Sequence, residues 1–400
     1  MSRLLKRIQK NNRAIALIFV MGAITFIAAI VVELNYRAQI SKNMLLSRRD
    51  GAKAYELARA AYRWSIFRLR LDQSMDKAPV IPGTNYGGKK DDLGELQWAF
   101  PLSYPFPVGT VAPQETSDVS EETATASDLG GSFLSTITDE SSKINLNDVF
   151  SGGIGTNISY SGAARVLINL LASPRFRYYL DNENILEVFH AIDDWTDSDT
   201  QVNHLGGADE NLEHLPQGVS YQVKNGPFYS LSEIKLLKPI TEDFYEELKA
   251  FVTIYPFDAK TPRVSSSNPS AKGKININTA PVELLAAIFS SKVVSSNRAR
   301  LECAQKIAAA RTSQAFRSIK KNGTAPNLIT FVENACNAPD QTQVEESQAF
   351  IEKPVMDILD VKSDLFRIEA MGVTENLEKK IDAVVLRSDK QPKILHWKVQ

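Results

Sequence analysis

Cysteine is nearly absent. The 400 residues hold two, Cys303 and Cys336, and neither belongs to a CxxC pair. That excludes a cysteine-built zinc scaffold and a thioredoxin-type redox site. A basic excess is also absent: Lys+Arg 46 against Asp+Glu 47 gives a net charge of −1, so the chain as a whole has no attraction to nucleic acid. A mean hydropathy of −0.20 excludes a polytopic membrane protein. There is no GxSxG, no glycine-rich phosphate loop, no HExxH and no Cys–His dyad signature, so the chain reads as a non-enzyme. What is present suffices for a core: 43% of residues are hydrophobic and 23% charged, and the length suits two or three packed units.

Acidic residues are missing from the N-terminus. Arg3, Lys6, Arg7, Lys10 and Arg13 precede an uncharged apolar run over residues 14–32, interrupted only by Gly22 and Thr25. As a helix this run rises about 28 Å, close to the hydrocarbon thickness of a bilayer. The basic flank stays cytoplasmic and sends Glu33 onward to the far side. The run is long for a cleaved secretory signal and lacks a small-x-small exit; taken alone it is a signal anchor. Proline is absent from residues 33–71, which contain one glycine, Gly51. Tyr55, Ala58, Tyr62, Ile66 and Leu69 recur at helical spacing among Lys53, Glu56, Arg59, Arg63, Arg68 and Arg70. One helix over 15–71 is predicted, with its first half in lipid and its second half packed on a globular domain.

Further on, residues 79–94 read as a loop, 96–100 as a strand and 109–131 as a flexible excursion. A strand is predicted over 132–137. Helical patterns fill 143–339, with a Ser/Asn/Pro linker at 265–270. Strands return at 365–373, 383–387 and 394–399, separated by turns at 374–376 and 388–392. The plan is α+β, with strands interrupted by an all-helical insertion. A short repeat lies inside the insertion: Ile144-Asn145-Leu146-Asn147 is echoed by Ile275-Asn276-Ile277-Asn278. In the second copy Thr279 is the expected N-cap of a helix, with Glu283 in its first turn. Helix-hairpin-helix DNA-binding modules share this pattern. The hairpins expected here, at 236–241 and 290–294, have no glycine to build a phosphate nest, and Pro239 has no N–H. Both copies therefore read as helix-hairpin-like or SAM-like scaffolds.

The sharpest chemistry is acidic. Asp193, Asp194, Asp197, Asp199, Asp209, Glu210 and Glu213 fall in one span with no Lys or Arg among them, and Gly206-Gly207 permits a turn between the two groups. Several hard oxygens on a flexible loop suit Ca²⁺, although the spacing is not that of an EF-hand. A solvated acidic loop fits the same residues. His190, His204 and His214 lie close enough to keep zinc open, and catalytic acids are the remaining reading.

A basic leader, a lipid-length apolar half-helix and an amphipathic second half resemble a type IV pilin or pseudopilin. In that family a prepilin peptidase cuts just before the apolar run, usually after glycine; here the cut would fall between Ala14 and Ile15. The glutamate at mature position five in most members is Phe19, an absence characteristic of the K-type minor pseudopilin of type II secretion. That family's acidic motifs match Asp194-Trp195-Thr196-Asp197-Ser198-Asp199 and Gly207-Ala208-Asp209-Glu210. Asn145-Leu146-Asn147, Tyr229-Ser230-Leu231-Ser232-Glu233-Ile234, Ile275-Asn276-Ile277-Asn278-Thr279-Ala280, Val384-Val385-Leu386-Arg387 and Trp397 follow in family order.

The resemblance implies a leader at 1–14 and a transmembrane half-helix at 15–32. It implies a pilin-like domain at 33–140 completed by strands at 341–400, and an inserted helical domain at 141–340 with subdomains at 141–264 and 271–340. It also implies calcium on Asp194, Asp197, Asp199, Asp209 and Glu210, with the order Asp-Glu instead of Glu-Asp leaving the direct ligand of that pair open. Expected partners are other minor pseudopilins, the inner membrane and prepilin peptidase, with no nucleic acid. The expected place is the bacterial inner membrane, single-pass, with the globular part periplasmic and the tip of the pseudopilus as its station. In that compartment Cys303 and Cys336 can pair; two buried thiols are the alternative. The reading from a different class is a membrane-tethered helix-hairpin-helix DNA-binding protein of an uptake system.

Overall fold

The computed structural model describes residues 2–76, 100–104, 130–152, 159–180, 182–197, 200, 202, 209–256, 273–323, 325–336, 349–388 and 391–400. The strand expected at 96–100 and the excursion at 109–131 lie essentially outside them. Helix α1 (Ser2–Asp76) is followed by β1 (Leu102–Tyr104), β2 (Ser132–Asp139), β3 (Ile144–Asn145), β4 (Ser151–Gly152) and β5 (Ser159–Tyr160). Next come α2 (Gly162–Leu171), α3 (Asn182–Thr196), α4 (Glu210–His214), α5 (Glu242–Leu248), β6 (Val252–Thr253) and β7 (Ile275–Asn276). The chain continues through α6 (Val282–Ala287), α7 (Asn297–Ser313), α8 (Leu328–Ala335) and α9 (Lys353–Met356). It closes with β8 (Leu359–Asp360), β9 (Leu365–Val373), β10 (Glu378–Leu386) and β11 (Lys393–Val399). A five-stranded sheet has the order β1-β2-β9-β10-β11, and β10 pairs antiparallel with β11. The architecture is α+β, as expected.

Helix α1 runs 75 residues, about 110 Å, longer at both ends than its apolar pattern. Residues 16–45 are all exposed. The buried positions further along are Asp50, Ala54, Leu57, Ala58, Ala61, Ser65, Leu69 and Asp72. The predicted stripe is therefore rotated. Ala58 and Leu69 are inside, while Tyr55, Tyr62 and Ile66 sit at its border. Small side chains win the inner face because the backbone approaches so closely there.

The residues form two compact units, one of Met1–Ala61, Ser103–Leu134 and Met371–Lys380, the other of Tyr62–Leu102, Ser135–Ala370 and Ile381–Gln400. In the first, a Cβ added at Gly372 would collide with the carbonyl oxygen of Ala54 and lie 2.5 Å from the Ala58 nitrogen. Tyr104 stacks on Phe133 with ring centres 5.4 Å apart, and Asn376 donates to Asp50 at 2.8 Å.

The second unit has one continuous apolar core, from Ile144 through Phe176, Phe189, Phe244 and Phe289 to Val384. The short sequence repeat is a structural repeat here. β3 pairs in parallel with β6, and β7 pairs in parallel with β8. In both copies the first asparagine turns its own chain, Asn145 accepting from Asn147 N at 3.1 Å and Asn276 from Asn278 N at 2.9 Å. The second asparagine clamps two segments distant in sequence. Asn147 donates to the carbonyls of Phe228 and Ile254, and Asn278 to those of Phe316 and Val361. The second copy thus closes at Val361, past the boundary expected at 340, because its closing strand is two residues long and carries no periodic signal. Thr279 is not the cap of α6; that position is Pro281, and the Thr279 hydroxyl donates to Asp139. Cys303 on α7 is bonded to Cys336 at the end of α8, with Cα atoms 5.5 Å apart.

Candidate metal centre

Helix α3 carries Asp193 and Asp194 at its C-terminal end, and Asp197 follows directly, its N–H bonded to the Asp193 carbonyl at 3.1 Å. Helix α4 brings Glu210 to the same place. One carboxylate oxygen from each of Asp194, Asp197 and Glu210 lies within 4.8 Å of the others. Asp194 and Glu210 are buried, at 0% and 1% exposure, and Asp197 is half-buried. Three carboxylates this close, two of them out of water, repel one another unless a cation or protons intervene.

The surroundings hold the cluster in shape. His214, the last residue of α4, places Nε2 2.7 Å from Asp194 Oδ2, both side chains being buried. Trp195 stacks on Phe228 with centroids 5.9 Å apart and planes at 13°. Phe228 N in turn donates to Asn147 at 2.7 Å, so the first asparagine clamp sits directly behind the acids. Asn211 accepts from Val223 N at 2.8 Å, tying α4 to the following loop.

Of the residues singled out in the sequence, the structure gathers Asp194, Asp197 and Glu210. Asp209 takes a different part: it is the exposed N-cap of α4, accepting from Asn211 N at 2.9 Å. The Asp-Glu order thus turns the second acid, not the first, toward the cluster. Asp199 and His204 lie outside the described residues. His190 is buried on α3, its ring against Phe189 at 5.2 Å. The His214–Asp194 bond had no sequence signal, since nothing local relates residues on different helices. The donor set is oxygen, and the His214 nitrogen nearest the cluster is occupied by a carboxylate. That chemistry fits Ca²⁺ better than Zn²⁺. Ala14 and Ile15 lie within α1.

Fold and site together define a pilin-like subunit with a helix long and apolar enough to cross a membrane, carrying a duplicated helical region with an acidic centre. The family model for type II secretion system (T2SS), protein K matches residues 142–257, which include the first repeat and the acidic centre. Type II secretion system protein K of Pseudomonas aeruginosa is 25% identical over 281 residues, covering 70% of this chain and 69% of that protein. The Klebsiella pneumoniae protein of the same name is 26% identical over 165 residues, 41% of this chain and 45% of its own length. The crystal structure of the GspK-GspI-GspJ complex from the enterotoxigenic Escherichia coli type 2 secretion system is similar in fold, with a TM-score of 0.53 at 16% identity. It matches 88% of this chain and 98% of that one. Residues 142–257 thus match the protein K family of the type II secretion system, and the chain as a whole is similar to K-type minor pseudopilins.

Proposed function

We propose that the protein sits at the tip of the type II secretion pseudopilus, anchored in the bacterial inner membrane with its globular part in the periplasm, and that it starts or caps pseudopilus assembly during protein export. The observation that carries this is α1, whose apolar residues 16–32 are all exposed and whose turns from Asp50 onward are packed. An apolar stretch in that state needs lipid or like helices around it. Phe19, 74% exposed, stands where most pilins place a carboxylate for the neighbouring subunit's terminal ammonium. A subunit with nothing ahead of it has no ammonium to meet. Removal of the leader between Ala14 and Ile15 by prepilin peptidase would create that mature terminus.

The solved relative is a GspK-GspI-GspJ complex, which supports other minor pseudopilins as partners of this chain. The acidic centre would hold Ca²⁺ through Asp194, Asp197 and Glu210, with His214 fixing the orientation of the Asp194 carboxylate. The ion would supply the positive charge that lets three acids share one buried place. The test is co-purification of the tagged full chain from membranes with the other minor pseudopilins of its own system, together with mass spectrometry of its N-terminus. Recovery of those partners and an N-terminal Ile15 are expected. Retention on DNA without them, or an intact Met1, would overturn the reading.

A further inference from the structure

A cavity of about 190 Å³ opens between α2, α6 and the first turns of α7. Arg300 lines it and is 5% exposed. Its guanidinium bonds the Asn297 side chain through Nη2, and its Nε has no acceptor among the described residues. The nearby acids are taken by other cations. Arg175, on the same cavity, holds Glu247 and Glu283, the latter at 2.6 Å, and Arg298 holds Glu302 at 2.8 Å on the outer face of α7. A second lining group, the Ser173 hydroxyl, is also buried with no partner among the described residues. The first turn of α7 has no acid, although a helix N-terminus favours negative charge. A desolvated guanidinium, an idle hydroxyl and a positive helix end thus converge on one space, none of them paired with an acid among the described residues.

We propose that this cavity is a binding site for a carboxylate group, gripped by Arg300 and Ser173. Its volume equals roughly six water molecules at ~30 Å³ each, enough for an acidic side chain or a chain-terminal carboxyl. Glu283 on the cavity wall disfavours a dianion such as phosphate and leaves a single negative charge as the better match. Guanidinium and carboxylate also match in plane and in paired hydrogen bonds. The site lies apart from the acidic centre and does not depend on the reading of export.

The experiment follows thermal unfolding of the full chain in detergent micelles at constant ionic strength, with sodium acetate, an acetylated and amidated glutamate peptide, sodium phosphate or sodium chloride. Acetate or the peptide should raise Tm by about 2 °C per tenfold increase in concentration beyond half-saturation. Phosphate and chloride should not. A stronger response to the peptide assigns the carboxylate to a protein partner, and an equal response assigns it to free organic acids; both outcomes support the site. Arg300→Met, which keeps an unbranched apolar stem and removes the guanidinium, should abolish the response, and Ser173→Ala should weaken it. No response in the wild type, an unchanged response in both variants, or a larger response to phosphate would overturn the proposal.

Discussion

Asn147 and Phe228 exchange hydrogen bonds in both directions: the asparagine side chain accepts from the phenylalanine N–H at 2.7 Å and donates to its carbonyl at 3.2 Å. The amide thus imitates a neighbouring strand where none runs. Asn278 does the same to Phe316, at 2.8 and 3.0 Å. Replacing either asparagine by alanine removes three bonds and strands buried backbone groups, at a cost of about 2–3 kcal/mol in denaturant unfolding. The two variants should differ in one respect. Asn147→Ala frees Phe228, the ring on which Trp195 rests beside the acids, and should weaken Ca²⁺ binding; Asn278→Ala should leave the calcium titration unchanged.

Calcium should stabilise the helical region by about 2.7 kcal/mol at roughly a hundred times its Kd, read as a rise in Tm over the same protein in EDTA. Asp197→Asn with Glu210→Gln should abolish that rise. Asp209→Ala should cost about 1 kcal/mol as a lost helix cap and leave the calcium response intact. Mg²⁺ should substitute poorly, since it demands a small octahedral shell and keeps its waters. Equal melting temperatures in EDTA and in excess Ca²⁺ would mean that protons, not the ion, relieve the repulsion among these acids.

Two adjacent acids should pull stability in opposite directions with pH. Burial works to raise the Glu140 carboxyl, but Lys143 at 2.9 Å and Arg367 at 2.7 Å outweigh it and hold the group below the usual carboxylate range. Its contribution is present above the ordinary carboxylate pKa and is lost as pH falls through the lower folded value. Burial raises Asp139, in spite of hydrogen bonds from Ser363, Thr279 and Ser141. The stability it contributes is present below its ordinary pKa and is lost as pH rises through the raised value. Glu140→Gln should therefore cost about 3–5 kcal/mol at neutral pH by breaking a buried ion pair, and flatten the acid limb of a stability–pH curve. Asp139→Asn should flatten the limb above pH 4 and gain most at neutral pH.

Reduction of the Cys303–Cys336 bond, which closes a loop with a sequence separation of 33, should cost about 3–4 kcal/mol by the chain-entropy account. Unfolding with and without reductant measures it, and Cys303→Ala with Cys336→Ala should reproduce the reduced protein. Free alkylation of both thiols without reductant would contradict the bond.

Local patterns in the sequence carried a good deal of this. The strand at 365–373 was legible to the residue, because alternating apolar side chains mark a sheet face, and the duplicated Ile-Asn pattern marked both asparagine clamps. The buried face of α1 was misjudged by a fraction of a turn. Large apolar residues such as Tyr62 and Ile66 attract attention in a periodic pattern, yet Ala54, Ala61 and Ser65 occupy the tightest contacts because they are small. Thr279 has the chemistry of a cap, and Asp139, 140 residues away, claims its hydroxyl. The acidic centre was visible as composition, but the choice between Asp209 and Glu210 depended on where α4 begins, and His214 joined it only through tertiary packing.

Gly372 gives the first unit a mechanical property. With its Cα seated against the turn of α1 formed by Ala54 and Ala58, the strand and the helix interlock over one residue's width. A force drawn along the helix from its apolar N-terminal half would load this joint in shear instead of peeling it open. The strand at Gly372 must clear the Ala54–Ala58 turn before it can slide, so helix and strand resist tension as one keyed joint.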